Sequence, residues 1–462
     1  MKKIATIVML AFLVLVISTS CGTAQQPFDN PTLETIATQD RSQFYGQTLT
    51  IVVINDFFMR TYARLYERDN PGVTIEVINL WEGDFARTRD RGREIIATQM
   101  MAGQAPTLID SQLIDYFHPQ VSANLVNLFE FMDADPTFNS DNYFANVFNA
   151  VAVEGRLVSL PIAFEYQIVA ANTTIPGLEE ALAGYPSVTL SDLINIHSDI
   201  SDERDFYIDW NFDVHLGARN YIDTFFDFGT RWADFDNQEF VDLINWARDN
   251  TNPNMRFGRN ALTNIINPAQ ELEFSERYPF MVYWPYLFQY MLPFEEDHGP
   301  LFRGAVPLVN EHEELIITVS SELSLNANTT PLEQALAWDF MRFKLDLPAV
   351  DVPGGVAALM QPVARATLDE GLGAAVSREI GYFYSHNFGW SLIGTRQEAT
   401  PHVLEQVEIF GNMPMASRRY APFIIENFIR DTLEQFHDGL LTAEQTAAII
   451  QDRVTLMLME MD

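Results

Sequence analysis

Residues 48–80 read TLTIVVINDFFMRTYARLYERDNPGVTIEVINL, and the first part of that stretch decides the fold. Leu49-Thr50-Ile51-Val52-Val53-Ile54 is a β-branched run without polar alternation, which is what a strand covered on both faces of a parallel sheet requires. Phe58, Tyr62, Leu65 and Tyr66 then recur at helical spacing, Asn70-Pro71-Gly72 ends that helix, and Val73 to Leu80 supplies a second strand. Further along come a helical stretch from Glu94 to Met101, the break Gly103-Gln104-Ala105-Pro106 and a third strand, Thr107-Leu108-Ile109. Strands alternating with helices predict a doubly wound α/β beginning.

The composition sets bounds on the rest. A chain of 462 residues that is 47% hydrophobic and 12% aromatic buries a large core, and its length suits two domains better than one. The single cysteine, Cys21, excludes an internal disulfide, so packing rich in Phe and Tyr must hold the fold. The formal charge of -35 excludes nucleic acid as a natural partner, because phosphate binding needs the opposite field. Basic residues are nearly all arginine: after Lys2 and Lys3, Lys344 is the only lysine.

Cys21 ends a segment with the layout of an export signal. Lys2 and Lys3 form a positive start, Ile7 to Ile17 an apolar run too short to span a bilayer stably, and Ser18-Thr19-Ser20 a small-residue cleavage zone. This resembles a bacterial lipoprotein signal, in which the cysteine becomes the lipidated N-terminus; Ser18 stands where such signals usually carry Leu, and a plain secretory signal is the alternative. Residues 1–20 are then the signal, 21–47 a polar tether, and the folded body begins near Thr48. Loss of both signal lysines would take the charge from -35 to -37.

Ligands of open parallel sheets sit beyond the carboxyl ends of the strands. The residues there are Asp56 and Phe57 after the first strand, Trp81 and Glu82 after the second, and Asp110 and Ser111 after the third. Flat aromatic faces beside planar carboxylates suit a sugar, whose ring faces stack and whose hydroxyls pair with polar groups. Core packing of Phe57 and Trp81, with solvated acids beside them, is the competing reading.

A set of landmarks recurs along the chain. They are Asn70-Pro71-Gly72-Val73-Thr74-Ile75-Glu76-Val77, Gly103-Gln104-Ala105-Pro106-Thr107, Gly155-Arg156-Leu157 with Leu160-Pro161-Ile162-Ala163, Asn172, Pro279-Phe280-Met281-Val282, the helix Leu332 to Phe343, and Leu441-Thr442-Ala443-Glu444-Gln445-Thr446 opening a last helix. In order and spacing they resemble the family 1 extracellular solute-binding proteins of ABC importers, the maltodextrin-binding-protein-like family. The resemblance implies a two-lobe periplasmic-binding-protein-like α/β fold, with residues 48–163 and 308–347 in the N-terminal lobe and 164–307 and 348–462 in the C-terminal lobe. The chain would cross between lobes near Pro161 to Glu165, Val306 to Val309 and Leu347 to Pro353, making a hinge.

The same resemblance implies a monomeric binder without cofactor or catalysis. It would be lipid-anchored outside the cytoplasm and hand a carbohydrate to ABC permease subunits and their ATPase. It places a ligand carboxylate at Glu165, with Tyr166 as neighbour, a stacking aromatic at Trp284 with Tyr286 nearby, and another aromatic at Tyr420 beside Arg418. Trp210, with Tyr207 and Phe212, is a looser match for which core packing competes. The chain departs from the family at Ala171-Asn172-Thr173 and over the acidic, aromatic stretch Asp199 to Asp213, both of which would shape the cleft. Trp232, Trp246 and Trp338 lie in helical patterns and read as core.

Catalytic signatures are missing: there is no Gly-x-Ser-x-Gly elbow, P-loop or His-Glu-x-x-His. Glu311-His312-Glu313-Glu314, Asp133-Ala134-Asp135 and Asp234-Phe235-Asp236-Asn237 lack full metal spacing and read as solvated acidic turns. Two rivals stay open on sequence: a lipid-anchored glycan-processing enzyme using a carboxylate pair, and a sensor subunit that reports ligand to a membrane receptor.

Overall fold

The computed structural model describes residues 31–38, 40–56, 58–116, 118–172, 175–200, 225–227, 231–250, 279–283, 302–320, 322–347, 361–365, 411, 413–417 and 423–460. Its strands begin with β1 (Thr48–Val53), β2 (Thr74–Asn79) and β3 (Leu108–Asp110), followed by β4 (Ala163–Tyr166), β5 (Ile168–Asn172) and a short pair, β6 (Phe226–Asp227) and β7 (Trp232–Ala233). Then come β8 (Phe280–Tyr283), β9 (Phe302–Pro307), β10 (Leu315–Ser320), β11 (Leu323–Leu325), β12 (Gln361–Pro362) and β13 (Met415–Ser417).

The first sheet has the order β11-β3-β1-β2. β2 and β3 flank β1 in parallel, and β11 closes the edge antiparallel to β3. The missing polar alternation in β1 has a direct cause: Leu49, Ile51 and Val53 enter one core, while Val52 and Ile54 enter another on the opposite face. The helix Met59–Asp69 covers the first face with Met59, Tyr62, Ala63 and Tyr66. The helix Phe85–Met101 covers the second with Ile96 and Met100. Each buried Ile or Leu contributes about 1.5–3 kcal/mol, so burial on both faces anchors β1 more firmly than any single polar contact around it. The second helix begins at Phe85 rather than near Glu94, because Asp84 accepts the Arg87 N–H at 2.8 Å and caps it. Its first turns are arginine-rich and carry little apolar period.

A second sheet places β5 between β8 and β9, antiparallel to both. Ile168 and Ala170 join the first core, while Val169 and Ala171 join a separate one that contains residues of the helices Gln238–Asn250, Phe423–His437 and Ala443–Glu460. On the last helix Ala447, Ile450, Val454 and Leu458 are all buried, as their spacing predicts. A mixed sheet, β12-β4-β10-β13, stands between these units in the chain: β4 runs antiparallel to β10, and β10 parallel to β13. Beyond β4 the same pairing continues, the Leu160 N–H donating to the Leu323 carbonyl at 2.9 Å. Ala163 thus pairs with Ser320 in the mixed sheet, and Leu160 bridges Leu323 at the start of β11 in the first.

Two expectations are corrected. The segment expected to be a tether as far as Gln47 is structured from Pro31: Pro31–Thr38 is a helix and Arg41–Phe44 a 3-10 turn. Both pack on the helix Pro331–Asp346, burying Ile36 and Phe44 and setting the Thr32 hydroxyl 3.1 Å from Gln334 Oε1 and Arg41 2.8 Å from Asp339. Two isolated apolar residues give no visible period, so this docking comes from tertiary packing. Trp232, read as helical core, lies in β7 and is 45% exposed. Trp338 is buried as expected, and Trp246 is partly buried edge-on to His197.

Candidate functional site

Parallel pairing aligns the carboxyl ends of the first sheet. Val53 is in register with Asn79, and Val52 with Ile109, so Asp56, Trp81, Glu82, Asp110 and Ser111 follow strands that end along one edge. Trp81 is 44% exposed and so is not a core residue, and Phe85, four residues on, is exposed to the same degree. The carboxylates are held in place. Arg60 Nε donates to Asp56, Arg91 Nη1 donates to Glu82 Oε1 at 2.6 Å, and the Glu82 N–H donates to the Thr88 hydroxyl at 3.0 Å.

Asp110 is more enclosed. Its oxygens accept N–H bonds from Gln112 at 3.1 Å and Ile54 at 3.4 Å, and burial nonetheless pushes its carboxyl up. Ser111 starts a 3-10 turn and is largely buried, its N–H donating to the Glu322 carbonyl at 3.2 Å.

Glu165 lies in the mixed sheet, opposite Thr318, and burial pushes its carboxyl up to about 7. Tyr166 is a correction: at 2% exposure it packs in the core beside Phe164, since successive strand residues face opposite ways. Phe57, Trp210, Trp284, Tyr286, Tyr420 and Cys21 lie outside the described residues, as does the stretch 201–213. Asn172, at the end of β5, is fully buried.

The structure adds residues that the sequence reading did not place. Lys344, 3% exposed on the helix Pro331–Asp346, stands 5.5 Å from the centre of the Tyr62 ring. Burial lowers its amine to about 7, against the opposing pull of Asp110 and Glu322. Glu322 Oε1 also accepts the Ser159 hydroxyl at 2.7 Å. The one signal for this cluster was the singularity of Lys344 in an arginine-using chain. Among the described residues no group of His, Cys, Asp and Glu is placed to hold a metal ion, and no helix is long and apolar enough to cross a membrane.

An α/β chain with these separate cores and linked sheets has the two-lobe periplasmic-binding-protein architecture. The sugar-binding protein MalE from Xanthomonas citri is similar over 89% of this chain and 98% of its own, at 14% identity and a TM-score of 0.58. Maltose-bound MalE3 of T. maritima matches over 89% of this chain and 100% of its own, at 16% identity and a TM-score of 0.51. A periplasmic oligogalacturonide binding protein from Yersinia enterocolitica matches over 90% and 99%, at 13% identity and a TM-score of 0.53. No protein-family model matches the sequence, and no curated protein matches it.

Proposed function

We propose that this protein is a non-catalytic solute-binding lipoprotein that captures a carbohydrate between two lobes outside the cytoplasm and presents it to an ABC importer. The observation that carries the reading is the edge of the first sheet, where half-exposed Trp81 stands with arginine-braced Asp56 and Glu82 in a two-lobe fold. An aromatic face and fixed carboxylates are the chemistry that pyranose rings and hydroxyl pairs require. The similar solved structures carry names that specify maltose, sugar or oligogalacturonide binding, which supports the same class.

In this reading the chain passes between lobes near Pro161 to Glu165, near Val306 to Val309 and near Leu347 to Pro353. A sugar touching both lobes favours the closed form by its differential affinity, and the closed form is what the permease recognises. Lipid on Cys21 holds the monomer at the membrane, and Asp110 and Glu165 line the cleft, joined by Trp284, Tyr286, Tyr420 and Trp210 from beyond the described residues.

A thermal-shift screen of the protein processed at Cys21, against mono- and oligosaccharides, amino acids and peptides, tests this. Binding to the native state alone raises the midpoint by mass action. A rise with one sugar class, the sugar recovered unchanged, is expected. A sugar that is cleaved points to the enzyme instead, and a rise only with amino acids or peptides overturns the carbohydrate assignment.

A further inference from the structure

Trp81 combines an exposed ring with a backbone that is held on both sides. The Leu80 N–H extends the ladder of the first sheet, donating to the Val53 carbonyl at 3.0 Å. The Trp81 N–H donates to Asn79 Oδ1 at 2.9 Å, and the Glu82 N–H donates to Thr88 Oγ1 at 3.0 Å. Connecting segments are ordinarily the mobile part of a fold, but here side chains take two successive amides beyond the end of β2.

Thr88 is the centre of the arrangement. It lies on the helix Phe85–Met101 and is 2% exposed, and its hydroxyl donates to the Asp84 carbonyl at 2.6 Å while accepting from Glu82. Both capacities of the hydroxyl are thus used. The Thr88 N–H donates to the same carbonyl at 3.0 Å, and the Asp84 side chain caps the helix through the Arg87 N–H. Gly83, at a φ of +89°, lets the chain turn between Glu82 and Asp84. Arg91, further along the helix, holds the Glu82 carboxylate.

We propose that Thr88 is a positioning residue for the ligand site: by bracing the Glu82 amide and the Asp84 carbonyl it holds the Trp81–Glu82 peptide in one conformation, with Asn79 as a second brace, so that the Trp81 ring is set before a solute arrives. The proposal rests on the reading above in that Trp81 is taken as a ligand contact. A ring fixed in advance loses less conformational entropy on binding than one that is ordered by its ligand. Buried as it is, Thr88 acts only through the loop. Val has nearly the shape of Thr and neither hydrogen-bonding capacity; Ser keeps both.

Two measurements on the ligand-free protein processed at Cys21 test this: amide hydrogen exchange at Glu82, and fluorine NMR of protein labelled with fluorotryptophan, the Trp81 line being assigned by Trp81→Phe. Exchange at Glu82 is expected to rise about tenfold in Thr88→Val, the scale of one lost hydrogen bond, and the Trp81 line to move. Thr88→Ser keeps the wild-type exchange and line. Asn79→Ala, at an exposed position, raises exchange at Trp81 and also moves the line.

Unchanged exchange at Glu82 in Thr88→Val overturns the proposal, and so does a Trp81 line that stays in place while exchange rises, since the ring then does not depend on the brace. A Thr88→Ser that behaves as Thr88→Val also overturns it, assigning the effect to packing of the methyl. If Thr88→Val does not fold, Thr88→Ala, which also lacks the hydroxyl and favours the helix, is read in its place. Neither measurement uses a sugar, so failure of the carbohydrate assignment and failure of the brace are separate results.

Discussion

Arg342 Nη1 lies 2.8 Å from Asp135 Oδ2 in a site where Asp135 is only 6% exposed, and the same oxygen accepts Trp338 Nε1–H at 3.0 Å. The guanidinium also lies over the Phe138 ring at 4.8 Å. Burial alone would raise the Asp135 carboxyl, but hydrogen bonds from Thr137 and Trp338 with the charge of Arg342 outweigh it, so its folded pKa is lowered. Asp135→Ala removes one of two carboxylates on the guanidinium, Asp346 Oδ2 remaining 3.0 Å from Nη2, and takes the partner from the Trp338 Nε1–H, so it is expected to cost about 1–3 kcal/mol, read from denaturant unfolding. A lowered folded carboxyl stabilises above its unfolded pKa, and that contribution is lost as pH falls through the folded value. Wild type should therefore lose stability in acid more steeply than Asp135→Ala; parallel acid profiles would show that the pair contributes nothing.

Glu165 and Lys344 tilt the pH profile in opposite directions. The folded Glu165 carboxyl keeps its proton up to about 7, while the unfolded one releases it near 4.5, so its contribution is full below 4.5 and is lost as pH rises through about 7. The unfolded Lys344 amine holds its proton to 10.5 and the folded one only to about 7, so this group makes stability rise between those values. Thermal midpoints of Glu165→Gln should lose the decline between pH 4.5 and 7. Those of Lys344→Met should lose the rise above 7. Unchanged slopes in either variant would mean that the group titrates normally.

Trp81 tests the cleft directly. Its side chain is 44% exposed, so Trp81→Ala removes little core packing and should leave the midpoint of the empty protein within about 0.5 kcal/mol of wild type. Affinity for the sugar found by the screen should fall by about 1–3 kcal/mol in calorimetry, the scale of a stacking aromatic at a binding surface. A large drop in midpoint with affinity kept would make Trp81 a packing residue.

Legibility followed the range of the forces involved. Leu49 to Ile54 announced a doubly covered strand because both faces of β1 are apolar, and Ala447, Ile450, Val454 and Leu458 announced a helix by period alone. The edge residues Asp56, Trp81, Glu82 and Asp110 were readable because parallel topology decides where strands end. Ile36 and Phe44 were not, since their partners lie on a helix some 300 residues away, the separation of the Thr32–Gln334 bond being 302. The Ser159–Glu322 contact spans 163 residues and leaves no local mark. Trp232 misled because helical spacing around it is interrupted by the β6–β7 pair.

Gly72 joins a backbone requirement to a tertiary one. Its φ of +98° lies where L side chains are strained, and a Cβ there would collide with the Tyr45 ring. Its carbonyl meanwhile accepts the Gly46 N–H at 2.7 Å, tying the N-terminal segment to the turn before β2. Gly72→Ala should destabilise by about 1–3 kcal/mol from backbone strain, with the ring clash added. Tyr45 is 76% exposed, so its ring swings aside at little cost and the clash should be the smaller part. Adding Tyr45→Ala should then restore only a minority of the loss in denaturant unfolding. Full rescue by Tyr45→Ala would place the whole penalty on the ring and show that the turn tolerates alanine at this φ.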